Sequence, residues 1–249
     1  MCDNEIEDLT LRCNKLAMEY LKAQRFKDSF ALLSKAETVL KNEEEVPNRL
    51  KLLSITYNNL ACFYKRKKQL KLALKYALES LELEKQIEEN DSELASTHLN
   101  LCAIYSAMNK HSTGLEHAQE AIGILEKTDD KSPQVNTNGI IAFYNCGAEL
   151  EHLHQKEEAL KYYEIGYKKS VIEFGEDNQL TQSFAMVIEK LNQAISAEQQ
   201  VKRFRESVYL KSKREVRTKL PFLSPMTSKK SSVLKSSRRL HRTSKSFFV

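Results

Sequence analysis

Along most of this chain apolar side chains return every three or four positions, the spacing of one helical face, and not every second position as in a strand. Polar runs between the periodic stretches divide them into helices over about 5–24, 26–42, 47–67, 69–90, 92–109, 111–128, 134–154, 156–174 and 177–206. The last has no partner in the pattern and is expected to act as a cap, with Asp177 as its N-cap. Only 6 Gly and 4 Pro punctuate 249 residues, too few breakers for the many turns of an all-β fold or for a Gly-rich phosphate loop. The expected class is all-α.

The helices repeat in pairs. An aliphatic residue or Cys stands beside a small residue, and a larger apolar residue follows three positions on: Leu16-Ala17 with Tyr20, Leu60-Ala61 with Tyr64, Leu101-Cys102 with Tyr105, and Cys146-Gly147 with Leu150. Twelve positions after the small residue comes another (Ser29, Ala73, Gly114, Ala159), and seven beyond that a third (Ala36, Ser80, Ala121, Gly166). Two antiparallel helices joined by a tight turn approach closely only where facing side chains are small, with larger neighbours filling the space on either side. A single such pair cannot bury its apolar face, so stability has to come from stacking pair upon pair.

This constellation resembles the tetratricopeptide repeat (TPR), over roughly residues 9–200. The small sites match well; the bulky first site is held by Cys13, Tyr57, His98 and Phe143, and the Pro often found at the end of a repeat is absent. The small sites at 17, 61, 102 and 147 lie 44, 41 and 45 apart, longer than the standard repeat of about 34 residues. That length resembles the kinesin-light-chain subclass. So does the segment Thr56-Tyr57-Asn58-Asn59-Leu60-Ala61-Cys62-Phe63-Tyr64, with a second copy at 97–105, and Phe174-Gly175-Glu176-Asp177-Asn178 resembles the turn between that subclass's repeats. The resemblance implies a right-handed α-solenoid of about four hairpins (5–42, 47–90, 92–128, 134–174), a cap over 177–206 and a tail over 207–249.

In such a solenoid the first helix of each repeat lines the concave face. Asn59, Asn100 and Asn145 each stand two residues before the small site, where the first repeat has Lys15 beside Asn14. Asn is a mediocre helix former, so its return needs a reason. An amide offers two donors and two lone pairs, enough to hold a peptide's N–H and C=O together. In the resembling adaptors Asn at this site grips the backbone of a bound peptide; the other reading of the same residues is hydrogen bonding between adjacent repeats. Asn58, Lys65, Arg66, Ser106, Tyr144, Glu151 and His152 flank the position by helical phase. The carboxylate clamp of chaperone-binding TPR domains is broken, since Met18 stands at its first Asn site and Asn100 at its third-repeat cation site.

Charge is segregated. Residues 201–249 hold 15 Lys+Arg and 2 acids, leaving 24 basic and 32 acidic residues in 1–200, so an acidic body of −8 precedes a basic end of +13. From about 207 the apolar period fades and Ser and Pro appear, the composition of a solvated, disordered tail. Lys229, Lys230, Arg238, Arg239 and Arg242 would attract an acidic partner, and Ser224-Pro225 is a proline-directed phosphorylation candidate. With the resemblance, tubulin and a microtubule or ciliary setting become the leading docking partner and location, within the cytoplasm. The alternative is a nuclear or ribonucleoprotein component whose tail binds nucleic acid, although interleaved aromatics for stacking are nearly missing. Five scattered Cys form no CxxC pair, and Cys13, Cys62, Cys102 and Cys146 fall on apolar stripes as expected free thiols. No membrane span, secretory leader, nucleotide loop, metal-protease or hydrolase motif is present, so no enzyme activity, cofactor or metal is expected.

Overall fold

A computed structural model describes residues 2–43, 45–87, 91–130 and 132–219. Its helices are α1 (Cys2–Lys22), α2 (Phe26–Asn42), α3 (Arg49–Arg66), α4 (Leu70–Glu84), α5 (Asp91–Ala107), α6 (His111–Lys127), α7 (Pro133–His152), α8 (Lys156–Phe174) and α9 (Gln179–Lys219). Among the described residues there is no strand. Helices pair as hairpins α1/α2, α3/α4, α5/α6 and α7/α8, and each first helix also lies against the first helix of the next hairpin. This is an α-solenoid, and it occupies the first of two compact units, Met1–Gln200; the second is Val201–Val249.

The small residues sit where the repeat logic requires. Ala17, Ala61, Ala73, Ala121 and Ala159 have no exposed surface and Cys102 almost none. A Cβ on Gly147 would stand 2.5 Å from the Tyr163 ring, and one on Gly166 would stand 2.5 Å from the Phe184 ring. Larger side chains close the gaps: Leu33, Leu40, Leu52 and Leu60 around the first hairpin, Tyr163, Phe184 and Leu191 at the far end of the stack.

Each hairpin turns on a left-handed residue seven positions past its first small residue: Gln24 (φ 60°), Lys68 (58°), Asn109 (57°) and His154 (60°). The following residue returns its N–H to the carbonyl of Tyr20, Tyr64, Tyr105 or Leu150 at 2.8 to 2.9 Å, the closing bond of a Schellman turn. None of the four is glycine, so each carries the strain of a side chain in that region. Elsewhere Ser132 caps α7 by accepting from Val135 N–H at 3.4 Å, with Pro133 next to it.

Two expectations about the last helix change. It begins at Gln179, so Asn178 rather than Asp177 occupies the cap, accepting from Leu180 N–H at 2.8 Å. It also runs past 206 to Lys219. Residues 207–219 contain neither Gly nor Pro, and the first breaker is Pro221, which disfavours helix in the residue before it. In the second unit the side chains from Val201 to Lys213 are all exposed. Ser224, Lys229, Lys230, Arg238, Arg239 and Arg242 lie outside the described residues.

Candidate functional site

Across the row of first helices runs a ladder of side-chain amides. Asn14 is buried in α1; its Nδ2 donates to Thr56 Oγ1 at 2.9 Å, and its Oδ1 accepts from Asn59 Nδ2 at 2.8 Å. One repeat on, Asn100 Nδ2 donates to Asn58 Oδ1 at 2.7 Å, while Asn100 Oδ1 accepts from the Cys62 thiol at 3.3 Å. The rule is a pairing of the residue three before one small site with the residue two before the next. Asn59 and Asn100 therefore spend hydrogen-bonding capacity on the neighbouring repeat.

The third rung is missing. The partner position for Asn145 is Leu99, an apolar side chain with no group to offer. Asn145 is half-buried, and its side chain makes no hydrogen bond among the described residues. Of three amides in equivalent positions, this one keeps both donors and both lone pairs for something else.

The flanking candidates divide in the same way. Arg66 Nη1 donates to the carbonyl of Leu21 at 3.0 Å, which fastens the end of α3 to the last turn of α1. Tyr144 packs between Tyr163 and Phe184, with ring centres 5.5 and 5.3 Å away. Glu151 accepts from the Tyr163 hydroxyl at 2.9 Å, and His152 stacks on His111 at 4.1 Å. Lys65 and Ser106 are half-buried and unpaired among the described residues. Cys13, Cys102 and Cys146 are buried free thiols, with burial pushing Cys102 up to about 12, whereas Cys62 is only half-buried.

Two polar clusters were not legible as such. Glu84 is 2% exposed; its Oε1 accepts from Thr97 at 2.9 Å and Ser80 at 3.1 Å, while Oε2 has no partner. Burial pushes its carboxyl up to about 7; the two hydroxyl donors oppose that rise and Glu93 adds to it. Buried Glu149 pairs with His111 Nδ1 at 2.7 Å. Glu84 sits at a helical phase where the other repeats carry Leu40, Leu125 and Ser170, which is the signal that was available; Glu149 shares its phase with the exposed Glu19, so no such signal marked it. No described group of His, Cys, Asp and Glu is arranged to hold a metal ion, and no described helix is long and apolar enough to cross a membrane.

Comparison with known proteins places the fold. No protein-family description and no curated protein matches the sequence. Solved structures do match. BtubC (BKLC) from P. vanneervenii is 16% identical with a TM-score of 0.65, over 94% of this chain and 89% of that one. The nearly identical TPR-like repeats assigned to a kinesin light chain of Podosopora anserina are 16% identical with a TM-score of 0.58, over 80% and 92%. The Rap conjugation gene regulator of plasmid pLS20, solved with the Phr* peptide, is 14% identical with a TM-score of 0.50, over 81% and 63%. The chain has the fold of TPR-like repeat proteins.

Proposed function

We propose that this protein is a non-enzymatic scaffold whose row of first helices takes a peptide or a partner helix, with Asn145 as the residue that engages its backbone. The observation that carries this reading is the broken rung: Asn145 stands in the column of Asn59 and Asn100 but has Leu99 where they have Asn14 and Asn58. Lys65 and Ser106, likewise unpaired among the described residues, extend the free polar surface, and Lys65 favours an acidic ligand. Tyr144, held by its aromatic neighbours, gives the adjoining apolar contact. A Rap protein of similar fold holds a peptide. In this reading Asn59 and Asn100 chiefly hold the repeats in register, and their remaining capacity is secondary. The test is selection of binding peptides from a random library, followed by titration against the full chain and its Asn145→Ala and Asn145→Asp variants. Loss of about tenfold in affinity with unchanged thermal stability is expected; equal affinity for all three would sink the assignment.

The basic end is the second part of the proposal. Its charge of +13 over residues 201–249 suits an acidic polymer, and the kinesin-light-chain resemblance makes the microtubule or ciliary cytoskeleton the first candidate, within the cytoplasm. Co-sedimentation of the full chain with microtubules at low and raised salt, against a form with Lys229, Lys230, Arg238, Arg239 and Arg242 all changed to Gln, tests it. Equal pelleting of the two forms would remove the idea. Tighter binding to RNA than to microtubules would favour the nuclear or ribonucleoprotein reading instead, and a phosphate on Ser224 is expected to weaken either contact.

A further inference from the structure

The repeat does not stop at four. Aligned on the columns of the four hairpins, the start of α9 reads as a fifth first helix. Phe184 falls in the column of Cys13, Tyr57, His98 and Phe143; Leu191 falls in that of Tyr20, Tyr64, Tyr105 and Leu150; Thr181 falls in that of Thr10, Ser54, Ala95 and Ile140. All three are buried, at 0, 2 and 1% exposure. Phe184 packs on Gly166 as the fold demands, and Thr181 shares a hydrogen bond of 2.6 Å with Ser170 of α8.

Ile188 occupies the column of Ala17, Ala61, Cys102 and Gly147. In the four complete hairpins that position faces the second helix of its own repeat, as Gly147 faces Tyr163, and is buried. Ile188 is half-exposed. The reason α9 makes no hairpin turn among the described residues lies seven residues on. Where the other repeats turn on Gln24, Lys68, Asn109 and His154, this one has Ile195, and a β-branched side chain resists the left-handed conformation the turn requires. Helix α9 therefore runs on, and an open groove of about 630 Å³ remains between α8 and α9, lined by Tyr167, Ala185, Ile188 and Asn192 with Glu164 and Glu189 at its sides.

We propose that this groove accepts, in trans, an amphipathic helix of a partner protein that takes the place of the missing second helix of the fifth repeat. The four hairpins show what such a surface takes: a helix with small residues seven apart, as in Ser29 and Ala36, so that the backbone can close on the facing side chain. Because Ile188 is larger than the Ala, Cys or Gly of the other repeats, the residue opposite it, in the column of Leu33, Ala77, Ala118 and Tyr163, is Ala or Gly. Glu164 and Glu189 against the single Lys168 favour a partner helix with a net positive face. A second copy of this chain fits poorly, because pairing two such faces about Ile188 sets Glu189 beside its counterpart. The site is separate from the Asn145 surface and stands or falls independently of it.

The probe is a labelled peptide with the sequence of this chain's own Phe26–Asn42 and Leu33→Ala to make room for Ile188; it carries Ser29 and Ala36 and has three lysines against two acids. Titrated with the full chain, it is expected to bind saturably below about 1 mM. Ile188→Arg is expected to weaken binding about tenfold or more, and Glu189→Lys about threefold at low salt with its thermal midpoint unchanged, because Glu189 is exposed whereas Ile188 also packs on the core. Amide exchange over residues 182–193 slows on adding the probe, and a peptide with Leu33→Arg does not bind. Failure of the wild-type chain to saturate, or equal binding by Ile188→Arg, overturns the proposal. So does protection of residues 182–193 in the free chain without probe uptake, since residues of the chain itself would then fill the groove.

Discussion

The two ends of the stack solve the same packing problem with different chemistry. Between the first three repeats the junctions are polar: Asn14 with Asn59, Asn100 with Asn58 and Cys62, and Glu84 with Ser80 and Thr97. Beyond the third repeat the amide ladder stops and rings are laid on glycine, Tyr163 on Gly147 within the fourth hairpin and Phe184 on Gly166 beside Tyr144 after it. Glu149 with His111 and Thr181 with Ser170 remain there as buried polar contacts. Buried hydrogen bonds fix register, because a slipped repeat leaves amides unpaired at about 1–3 kcal/mol each. Ring-on-glycine contacts fix distance, because any added atom collides. The free amide of Asn145 stands where the ladder stops, and its freedom follows from one residue: Leu99 holds the position of Asn14 and Asn58 and cannot bond to it.

The strongest way to separate the halves is pH. The Glu84 carboxyl sits at about 7 in the folded protein against 4.5 ordinarily, so the folded state binds its proton more tightly. The stability this gives is fully present below about pH 4.5 and is lost as pH rises through about 7, an effect on the order of 3 kcal/mol. In denaturant titrations at pH 5 and 8 the full chain is expected to lose more stability on raising the pH than Glu84→Gln does, the difference being the Glu84 effect. Buried His98 and His117, which bind protons more weakly in the folded state, act in the opposite direction in both proteins. A pH dependence unchanged in the variant would locate the titration elsewhere.

Next in size are the glycines. Gly147→Ala and Gly166→Ala each force a ring to move and are expected to cost about 2–3 kcal/mol in chemical unfolding. Ala61→Gly, the reciprocal change in the polar half, is expected to cost under about 1 kcal/mol through backbone freedom alone. The amides come third. Asn59→Ala and Asn100→Ala each strand a partner and are expected to cost about 1–2 kcal/mol, while Asn145→Ala stays within about 0.5 kcal/mol. A substantial loss at Asn145 would mean that it has a structural partner and would weaken its assignment to ligand binding. Smallest of all, Lys68→Gly and His154→Gly are expected to raise the thermal midpoint slightly, worth about 0.5 kcal/mol each, by relieving left-handed strain in both halves alike.

Much of this was open to reading along the chain. The columns of small residues located all four hairpins, because close helix approach leaves few residue types to choose from. The recurrent Asn was equally visible, and so were its two explanations. Sequence could not choose between them, since the choice depends on which residue of one repeat lies opposite which residue of the next. Asn14, noticed only as a neighbour of Lys15, proves to be half of the first rung, and Leu99 passed without notice because an apolar residue in a helix looks ordinary. The hairpin turns were hidden for a related reason: Gln24, Lys68, Asn109 and His154 are not the Gly that usually marks a left-handed position.

What the sequence determined by itself was the class of fold and its period, together with the separation of an acidic body from a basic end. Those follow from local quantities: helical spacing, side-chain volume and formal charge. What only the tertiary structure decided was the state of each polar group within that frame. It tied Asn59 and Asn100 to their neighbours, left Asn145 unpaired, buried Glu84 and opened a groove beside Ile188. The physical reason is that hydrogen bonding and burial depend on residues some forty positions apart meeting across a repeat boundary, and no local pattern records which of them meet.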